Sequence, residues 1–144
     1  MELSSDGSWS YSSSPDAIDF QVTQPIMLIG VGCHSCSGET TVELDLLDTA
    51  SGATLVKRAS PHVFSRPEKD LVLERVLYDS PYPIEANRKY TVRILQKGSG
   101  SNRAKNGKSD VEVEGLKFEF FKSTHDKNAT SVQSGQLPVL YFSI

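Results

Sequence analysis

One short segment of the 144-residue chain concentrates side chains that could do chemistry, Gly-Val-Gly-Cys-His-Ser-Cys-Ser-Gly at positions 30–38. Two thiolates and a neighbouring imidazole can share a zinc ion, but a structural zinc site needs four protein ligands. The other histidines, His62 and His125, stand apart from any second cysteine pair. Cys33 and Cys36 also lack a following helix, whose dipole would lower the thiol pKa in a redox motif. The segment therefore predicts a glycine-rich turn with reduced thiols and no metal.

Other patterns that carry chemistry are incomplete. The glycines of this segment are not followed by the Lys and Ser or Thr of a phosphate loop, and the chain has no Gly-x-Ser-x-Gly nucleophile elbow. His34 could act as a general base, but a histidine on an exposed loop is usually only solvated. No recognisable motif places an acid–base pair. We therefore expect no catalytic residue, no cofactor and no enzymatic activity in the domain itself.

Basic residues cluster in one predicted loop, where Arg103, Lys105 and Lys108 follow Lys97. Nucleic-acid-binding modules usually interleave such charges with aromatic residues on which bases stack, and this loop has none. The net charge is −3, with 15 Lys and Arg against 18 Asp and Glu, so no overall field attracts nucleic acid or an anionic membrane. We expect neither nucleic-acid binding nor membrane insertion.

The first residues of the chain and its few cysteines indicate the cellular compartment in which the protein is expected. Residues 1–14 are polar and rich in Ser, without the apolar core of a secretory signal. No run approaches the roughly 18 apolar residues of a membrane helix. Two cysteines without a dense framework are typical of a reducing environment, so we expect an intracellular, cytoplasmic protein. The glycosylation sequon that begins at Asn128 is then expected to be a turn.

Alternation of apolar and polar residues is the dominant pattern. Val42, Leu44 and Leu46 alternate with Glu43 and Asp45, which is typical of a half-buried strand. No segment has a sustained helical stripe. Eight strands are predicted, at Ile18–Val22, Ile26–Val31, Thr41–Leu47, Ala53–Lys57, Leu71–Leu77, Tyr90–Leu95, Leu116–Lys122 and Leu137–Phe142. The breaks between them are Ser12–Pro15, Gly32–Gly38, Asp48–Gly52, Ser60–Lys69, Ser80–Arg88, Gly98–Asp110 and His125–Gly135.

These strands predict an all-β fold, an antiparallel β-sandwich that spans residues 1–144 as a single domain. A chain of this length can hold a hydrophobic core together without metal or disulfide staples. Pro25 cannot donate a hydrogen bond to a ladder, so it is expected at the entrance of the strand that follows. Because Met1 lies close to a Trp and a Tyr that resemble core residues, we expect the domain to be excised from a much larger protein.

Nine short motifs occur in a characteristic order. They are Trp9-Ser10-Tyr11, Asp16–Val22, Pro25-Ile26, Gly30-Val31-Gly32, Ser80–Ile84, Asn87–Thr91, Gly115–Phe120, Asn128-Ala129-Thr130 and Gly135–Tyr141. Their order resembles the PHR domain, named for the Pam/Highwire group of large ubiquitin ligases, and the resemblance covers nearly the whole chain. It implies a β-sandwich of the PHR type that takes no part in catalysis and recognises partners or substrates.

The resemblance implies two contexts, giant RING-type ubiquitin ligases and BTB-domain adaptors of cullin ubiquitin ligases. Cys33-His34-Ser35-Cys36 replaces a G-L-Y-G-like turn of the family, and this departure resembles the divergent copies in the giant ligases. Our first expectation is therefore an interaction domain of a giant ligase in neuronal signalling, at the axon or synapse. The BTB adaptor is the alternative. A carbohydrate- or small-ligand-binding sandwich is the rival class, for which Trp9 and Tyr82 are candidate platform residues.

Loops at one end of the sandwich are expected to contact partner proteins, because loops carry recognition more often than scaffold strands. The segments concerned are Gly32–Gly38, Gly98–Lys108 and His125–Gly135. The candidate partner-binding residues within or beside them are Cys33, His34, Ser35, Arg103, Lys105 and Asn128. We expect the isolated domain to be monomeric and its partners to belong to a ubiquitin ligase.

Overall fold

The computed structural model describes residues 2–3, 15–33, 38–66, 74–97, 104–105, 109–126 and 139–144. Its strands are β1 (Glu2–Leu3), β2 (Asp16–Val22), β3 (Ile26–Cys33), β4 (Gly38–Asp48), β5 (Thr54–Lys57), β6 (His62–Arg66), β7 (Glu74–Ile84), β8 (Tyr90–Lys97), β9 (Ala104–Lys105), β10 (Asp110–Val113), β11 (Leu116–Lys122) and β12 (Val139–Ser143). Across the described ranges, no helix has the length and apolar character needed to cross a membrane.

The strands pair antiparallel in two main sheets. The larger sheet has the order β10-β11-β2-β8-β4-β5, and β6 also pairs with β4. Strand β5 pairs with residues 45–47 of β4 and β6 with residues 38–42, so these short strands follow one another along one edge. The smaller sheet has the order β12-β3-β7, while β1 and β9 form a separate pair. Each edge of the smaller sheet is therefore a single strand, and β3 is its centre.

The core lies between the two sheets and is built from the alternating apolar residues of their facing sides. On the larger sheet these include Phe20, Val42, Leu44, Leu46, Val92 and Ile94, and on the smaller sheet Leu28, Val31, Val76 and Ile84. The Tyr78 hydroxyl of β7 donates to the backbone carbonyl of Asp45 in β4 at 3.1 Å, which ties the sheets together. The predicted all-β antiparallel sandwich is confirmed.

Strand boundaries differ from the prediction mainly at sheet edges. The predicted break Ser60–Lys69 contains β6, and Ser80–Arg88 contains the end of β7. Pro81 and Pro83 lie within β7, which is an edge strand, the position in a sheet where proline is tolerated. Pro25 precedes β3 directly, at the predicted strand entrance. The predicted strand residues 71–73 and 137–138 lie outside the described ranges.

Strand β10 begins at Asp110, the last residue of the predicted break Gly98–Asp110. It forms a tight hairpin with β11. The turn consists of Glu114 and Gly115, which have φ angles of 50° and 79°. Two successive left-handed residues are typical of a type I′ turn, whose twist matches that of the flanking strands. The hairpin therefore extends the larger sheet by one four-residue edge strand.

Candidate partner-binding surface

The candidate residues taken from the sequence are not brought together within the part of the chain that the structure describes. His34, Ser35, Arg103 and Asn128 lie outside the described residues. Lys105 is in β9, where its Cα pairs with that of Glu2. Cys33 is described in full, and its position differs from the expectation.

Cys33 is not on an exposed turn but at the end of β3, where it is fully buried within the core. Strand β3 continues through the predicted turn start because Gly32 and Cys33 still pair with Arg75 and Glu74 of β7. A buried side chain offers no surface to a partner. The burial of Cys33 therefore contradicts the prediction that this residue contacts a partner directly.

The chemistry around Cys33 also keeps the thiol inert. Burial raises the pKa of the Cys33 thiol, and the nearby charges of Asp16 and Glu74 raise it further. A protonated thiol is a poor nucleophile and a poor metal ligand. Glu74 in turn lies 3.0 Å from Nε2 of His62, measured from Oε1. Among the described residues, no group of three or more His, Cys, Asp or Glu is placed to hold a metal ion.

The outward face of the smaller sheet carries a different set of side chains. In the register of its three strands, Tyr141 of β12 lies opposite Gly30 of β3, which lies opposite Leu77 of β7. One step along, Gly32 lies opposite Arg75. The central strand thus presents two glycines where neighbouring strands present large side chains. We call these five residues the Tyr141 face.

The bare centre of this face lets side chains from the two edge strands meet. The Arg75 guanidinium carbon lies 5.0 Å from the centroid of the Tyr141 ring, although β3 runs between their strands. A guanidinium at this distance from an aromatic centroid is within the range of a cation–π contact. Leu77 beside them is 40% exposed. The result is an exposed guanidinium and an exposed aliphatic group beside a half-buried ring, all next to the two glycines.

Gly30 is required by its surroundings as well as by the face. A Cβ atom at this position would lie 2.3 Å from the carbonyl oxygen of Val76 and 2.7 Å from Cα of Leu77. Both are backbone atoms that cannot rotate away. The register shift between Leu28 and Gly30 marks a β-bulge at the same place, and such bulges often accompany a close backbone approach. The close packing of β3 on β7 therefore depends on this glycine.

The arrangement suits contact with another protein better than catalysis. Tyr and Arg are enriched among the residues that dominate protein–protein binding energies, because each combines a large apolar surface with a polar group. The contact between Arg75 and the Tyr141 ring restricts both side chains in part, which lowers the conformational freedom that they lose on binding. The Tyr141 face can therefore bury an apolar group of a partner and pair with an acceptor.

The outward face of the larger sheet contains a shallow depression of about 180 Å³, lined by residues that include Pro15, Lys57 and Leu95. Ligand pockets usually span roughly 300–1,000 Å³. At its base, Arg93 binds Asp45 through two hydrogen bonds, of 3.2 Å from Nε and 2.6 Å from Nη2. Two of the charged groups that line the depression, the Arg93 guanidinium and the Asp45 carboxylate, are therefore occupied by each other.

The aromatic residues proposed as a carbohydrate platform do not form one in the described structure. Tyr82 is half-buried and packs against the core. Trp9 lies outside the described residues. Tyr141, on the outward face of the smaller sheet, is half-buried and lies against the Arg75 guanidinium, so one side of its ring is already in contact.

The sequence contained one signal of the Tyr141 face that the loop-based interpretation overlooked. Glycines two residues apart in a strand lie on the same face, because strand side chains alternate. Gly30 and Gly32 therefore predict a bare stripe on β3 once the strand is extended to Cys33. Arg75 and Tyr141 could not be placed beside that stripe without knowing the order of the strands.

Comparison with known proteins agrees with this architecture. A family model, the PHR domain, matches residues 3–143. BTB/POZ domain-containing protein 6-B of Danio rerio is 28% identical over 138 residues, which cover 93% of this chain and 28% of that protein. Human BTB/POZ domain-containing protein 6 is 26% identical over 136 residues, covering 93% of this chain and 25% of the relative.

Human BTB/POZ domain-containing protein 3 gives a similar result, with 28% identity over 138 residues, 93% of this chain and 26% of the relative. The chain thus spans about a quarter of the length of these curated relatives. The family match covers nearly the whole chain, including both sheets and the Tyr141 face. The protein therefore belongs to the PHR domain family.

Proposed function

We propose that this PHR domain is a non-catalytic protein-binding module that recruits partners or substrates to a ubiquitin ligase, as one domain of a larger intracellular protein. Binding is its task, and ligation belongs to the assembly that it joins. The observation that carries the proposal is the Tyr141 face, where Tyr141, Arg75 and Leu77 stand on a floor of two glycines.

The parent assembly is proposed to be a BTB-type adaptor. All three relatives described above are BTB/POZ domain-containing proteins, which supports the adaptor over the giant RING-type ligase that the sequence first suggested. The preference for the giant ligase depended on the Cys33–Cys36 departure, a local feature with three of its four residues outside the described structure. The neuronal or synaptic setting depended on the same preference and has no support from these relatives.

The predicted loop contacts extend this proposal. His34, Ser35, Arg103 and Asn128 remain candidate contacts in the predicted loops, Lys105 remains one in β9, and the Tyr141 face is the candidate contact on the scaffold. A rigid sheet face would supply most of the affinity, because it loses less conformational freedom on binding than a loop does. The loops would then adjust selectivity.

The test is a comparison of binding by the full chain and by two face variants. The chain is immobilised, and retained ubiquitin-pathway proteins are quantified by mass spectrometry for the parent, Tyr141→Ala and Arg75→Glu. Removing a central aromatic or reversing a central charge at an interface costs about 2 kcal/mol or more, so retention should fall about thirtyfold. A second measurement asks whether excess free domain slows ubiquitylation of the retained protein in a reaction with a BTB adaptor.

Val63→Thr is the matched control, because Val63 is 55% exposed and lies on β6 of the larger sheet, away from the Tyr141 face. It should retain the same proteins as the parent. Equal retention by all four chains would reject the face as the binding surface. Ubiquitylation that is indifferent to excess free domain would reject the recruiting role.

A further inference from the structure

The free edge of the larger sheet has hydrogen-bonding groups that its only described neighbour does not use. The amide of Phe120 donates to the carbonyl of Ser109 at 2.8 Å, which identifies Ser109 and Phe120 as a hydrogen-bonded pair of the β10–β11 hairpin. In an antiparallel ladder, bonded and non-bonded pairs alternate. Asp110 and Glu112 therefore belong to non-bonded pairs, and their backbone N–H and C=O groups point away from β11 towards the open edge.

The side chains of β10 alternate sharply between its two faces. Val111 and Val113 lie on the side of Phe118 and Leu116, which are core residues, yet they are 40% and 39% exposed. All four residues of β10 are exposed, and β10 ends the order of the larger sheet among the described strands. The edge thus offers an apolar row on the inward face and an acidic row on the outward face.

The acidic row contains a repulsion that the domain relieves only in part. Asp110 lies directly opposite Glu119, and because this pair is non-bonded its side chains are at the shorter cross-strand spacing. Like charges directly opposite each other destabilise a sheet. Lys117 Nζ lies 3.6 Å from Asp110 Oδ2, which offsets one charge of the pair. Glu112, opposite Lys117, adds a further carboxylate to the row.

We propose that β10 is a docking edge for an extended segment of a partner protein in which Lys or Arg alternates with apolar residues. The segment adds one strand to the larger sheet. Its backbone bonds Asp110 and Glu112, its basic side chains lie beside their carboxylates, and its apolar side chains cover Val111 and Val113. This deepens the proposed function by naming the chemistry of one partner segment, and it rests on that function.

A second copy of this chain is a poor occupant of the same edge. Pairing β10 antiparallel with its own copy brings Asp110 and Glu112 of one chain beside the acidic row of the other, because residues whose backbone groups face the edge then lie opposite each other. Parallel pairing instead places these carboxylates beside Val111 and Val113 of the copy. Like charges across a strand pair are destabilising, so antiparallel self-pairing adds to the existing repulsion, and parallel self-pairing sets carboxylates against apolar side chains. A basic, alternating segment removes the repulsion. The charge pattern of the edge therefore favours a strand from a different protein over a second copy of this chain.

The probe for this proposal is a short blocked peptide that alternates Lys with Val, titrated into the full chain. Binding is measured by fluorescence anisotropy and mapped by amide chemical shifts at an ionic strength of about 0.15 M, where the Debye length is about 8 Å. The expected shifts centre on residues 110–113. Asp110→Lys and Glu112→Lys should each weaken binding about fivefold, because each replaces a cross-strand attraction by a repulsion.

Glu39→Lys is the matched control, since Glu39 is an exposed residue of the larger sheet that pairs with Ser65 on the opposite edge. It makes the same change in net charge and should leave the affinity unchanged. A peptide of the same composition, N-methylated at the residues whose amides face β10, should bind at least about tenfold more weakly, because a strand cannot form without those donors.

Three results would overturn the docking edge, namely no saturable binding, shifts centred elsewhere, or equal binding by the methylated peptide. The last would mean that the edge attracts positive charge without forming a strand. Loss of peptide binding with Tyr141-dependent recruitment intact would reject the edge alone. If recruitment fails while the peptide binds as expected, the proposed function fails and the edge survives.

Discussion

The outward faces of the two sheets use polar residues in opposite ways. On the larger sheet, the hydroxyl of Thr91 donates to Asp19 Oδ1 at 2.7 Å and lies 2.9 Å from the hydroxyl of Thr49. Thr91 is fully buried and Asp19 is 6% exposed, so these groups are removed from solvent and matched within the chain. The ion pair of Asp45 and Arg93 continues the same pattern.

The Tyr141 face leaves its functional groups accessible. Arg75 is exposed, Tyr141 is half-buried, and Leu77 lies open beside them. Buried polar groups that are already paired have little to offer a partner, whereas an exposed guanidinium beside a half-buried ring can exchange water for a protein contact. The larger sheet therefore pairs these outward polar residues within the chain, whereas the smaller sheet leaves Arg75 and Leu77 exposed, as the proposed recognition surface requires.

The largest expected effect on stability comes from replacing Gly30, one of the two glycines at the centre of the Tyr141 face. Gly30→Ala places a methyl group against the backbone of Val76 and Leu77, so β3 and β7 must separate. We expect a loss of about 3 kcal/mol in the free energy of unfolding, the upper range for overpacking. Urea denaturation followed by tryptophan fluorescence or circular dichroism measures it.

Gly115→Ala is the comparison for that measurement. Gly115 has φ 79°, but an added Cβ there would have no heavy atom within 4 Å. Only the left-handed conformation is penalised, at about 1 kcal/mol. A Gly30→Ala loss no larger than that of Gly115→Ala would mean that the close approach of β3 to β7 is easily relaxed and that the floor is not rigid.

The sequence predicted the sandwich well because its core strands alternate. Val42, Leu44 and Leu46 could be assigned to one buried face from spacing alone. The edge strands were predicted poorly because their faces are only partly buried. Thus β6 and β10 mix exposed valines with polar residues, and β7 contains prolines that normally signal a turn. Sequence periodicity records burial, and it weakens wherever a strand is only partly covered.

The candidate site was predicted less well because a surface depends on strand order. Arg75 and Tyr141 are 66 positions apart, and nothing in their local sequence indicates that both flank β3. Loop residues are easier to nominate because Gly, Ser and charged residues identify them one segment at a time. Cys33 shows the cost of that approach, since a residue beside a glycine-rich segment proved to be part of the core.

Removing the Asp45 carboxylate tests how much the ion pair on the larger sheet contributes to the free energy of unfolding. The side chain of Asp45 is 10% exposed and that of Arg93 is 34% exposed, so Asp45→Ala leaves a partly buried guanidinium without its carboxylate. We expect a loss of about 2 kcal/mol, reduced from the value for a fully buried pair by solvent access to Arg93. Arg75→Ala should cost under about 1 kcal/mol by the same urea measurement. Similar losses for both would remove the energetic difference between the two faces.

The smallest effect tests whether Arg75 and Tyr141 recognise each other at all. A double-mutant cycle of Arg75→Ala and Tyr141→Leu should give a coupling of about 0.5 kcal/mol, as expected for a cation–π contact at an exposed site. Lys89 lies 4.0 Å from the centroid of Phe121 on the larger sheet, which supplies a second cycle for comparison. Because a solvated ring and guanidinium gain little from each other, weak coupling leaves both available to a partner. A coupling above about 2 kcal/mol, the range of desolvated pairs, would instead make the Tyr141 face a stabilising cluster like those of the larger sheet.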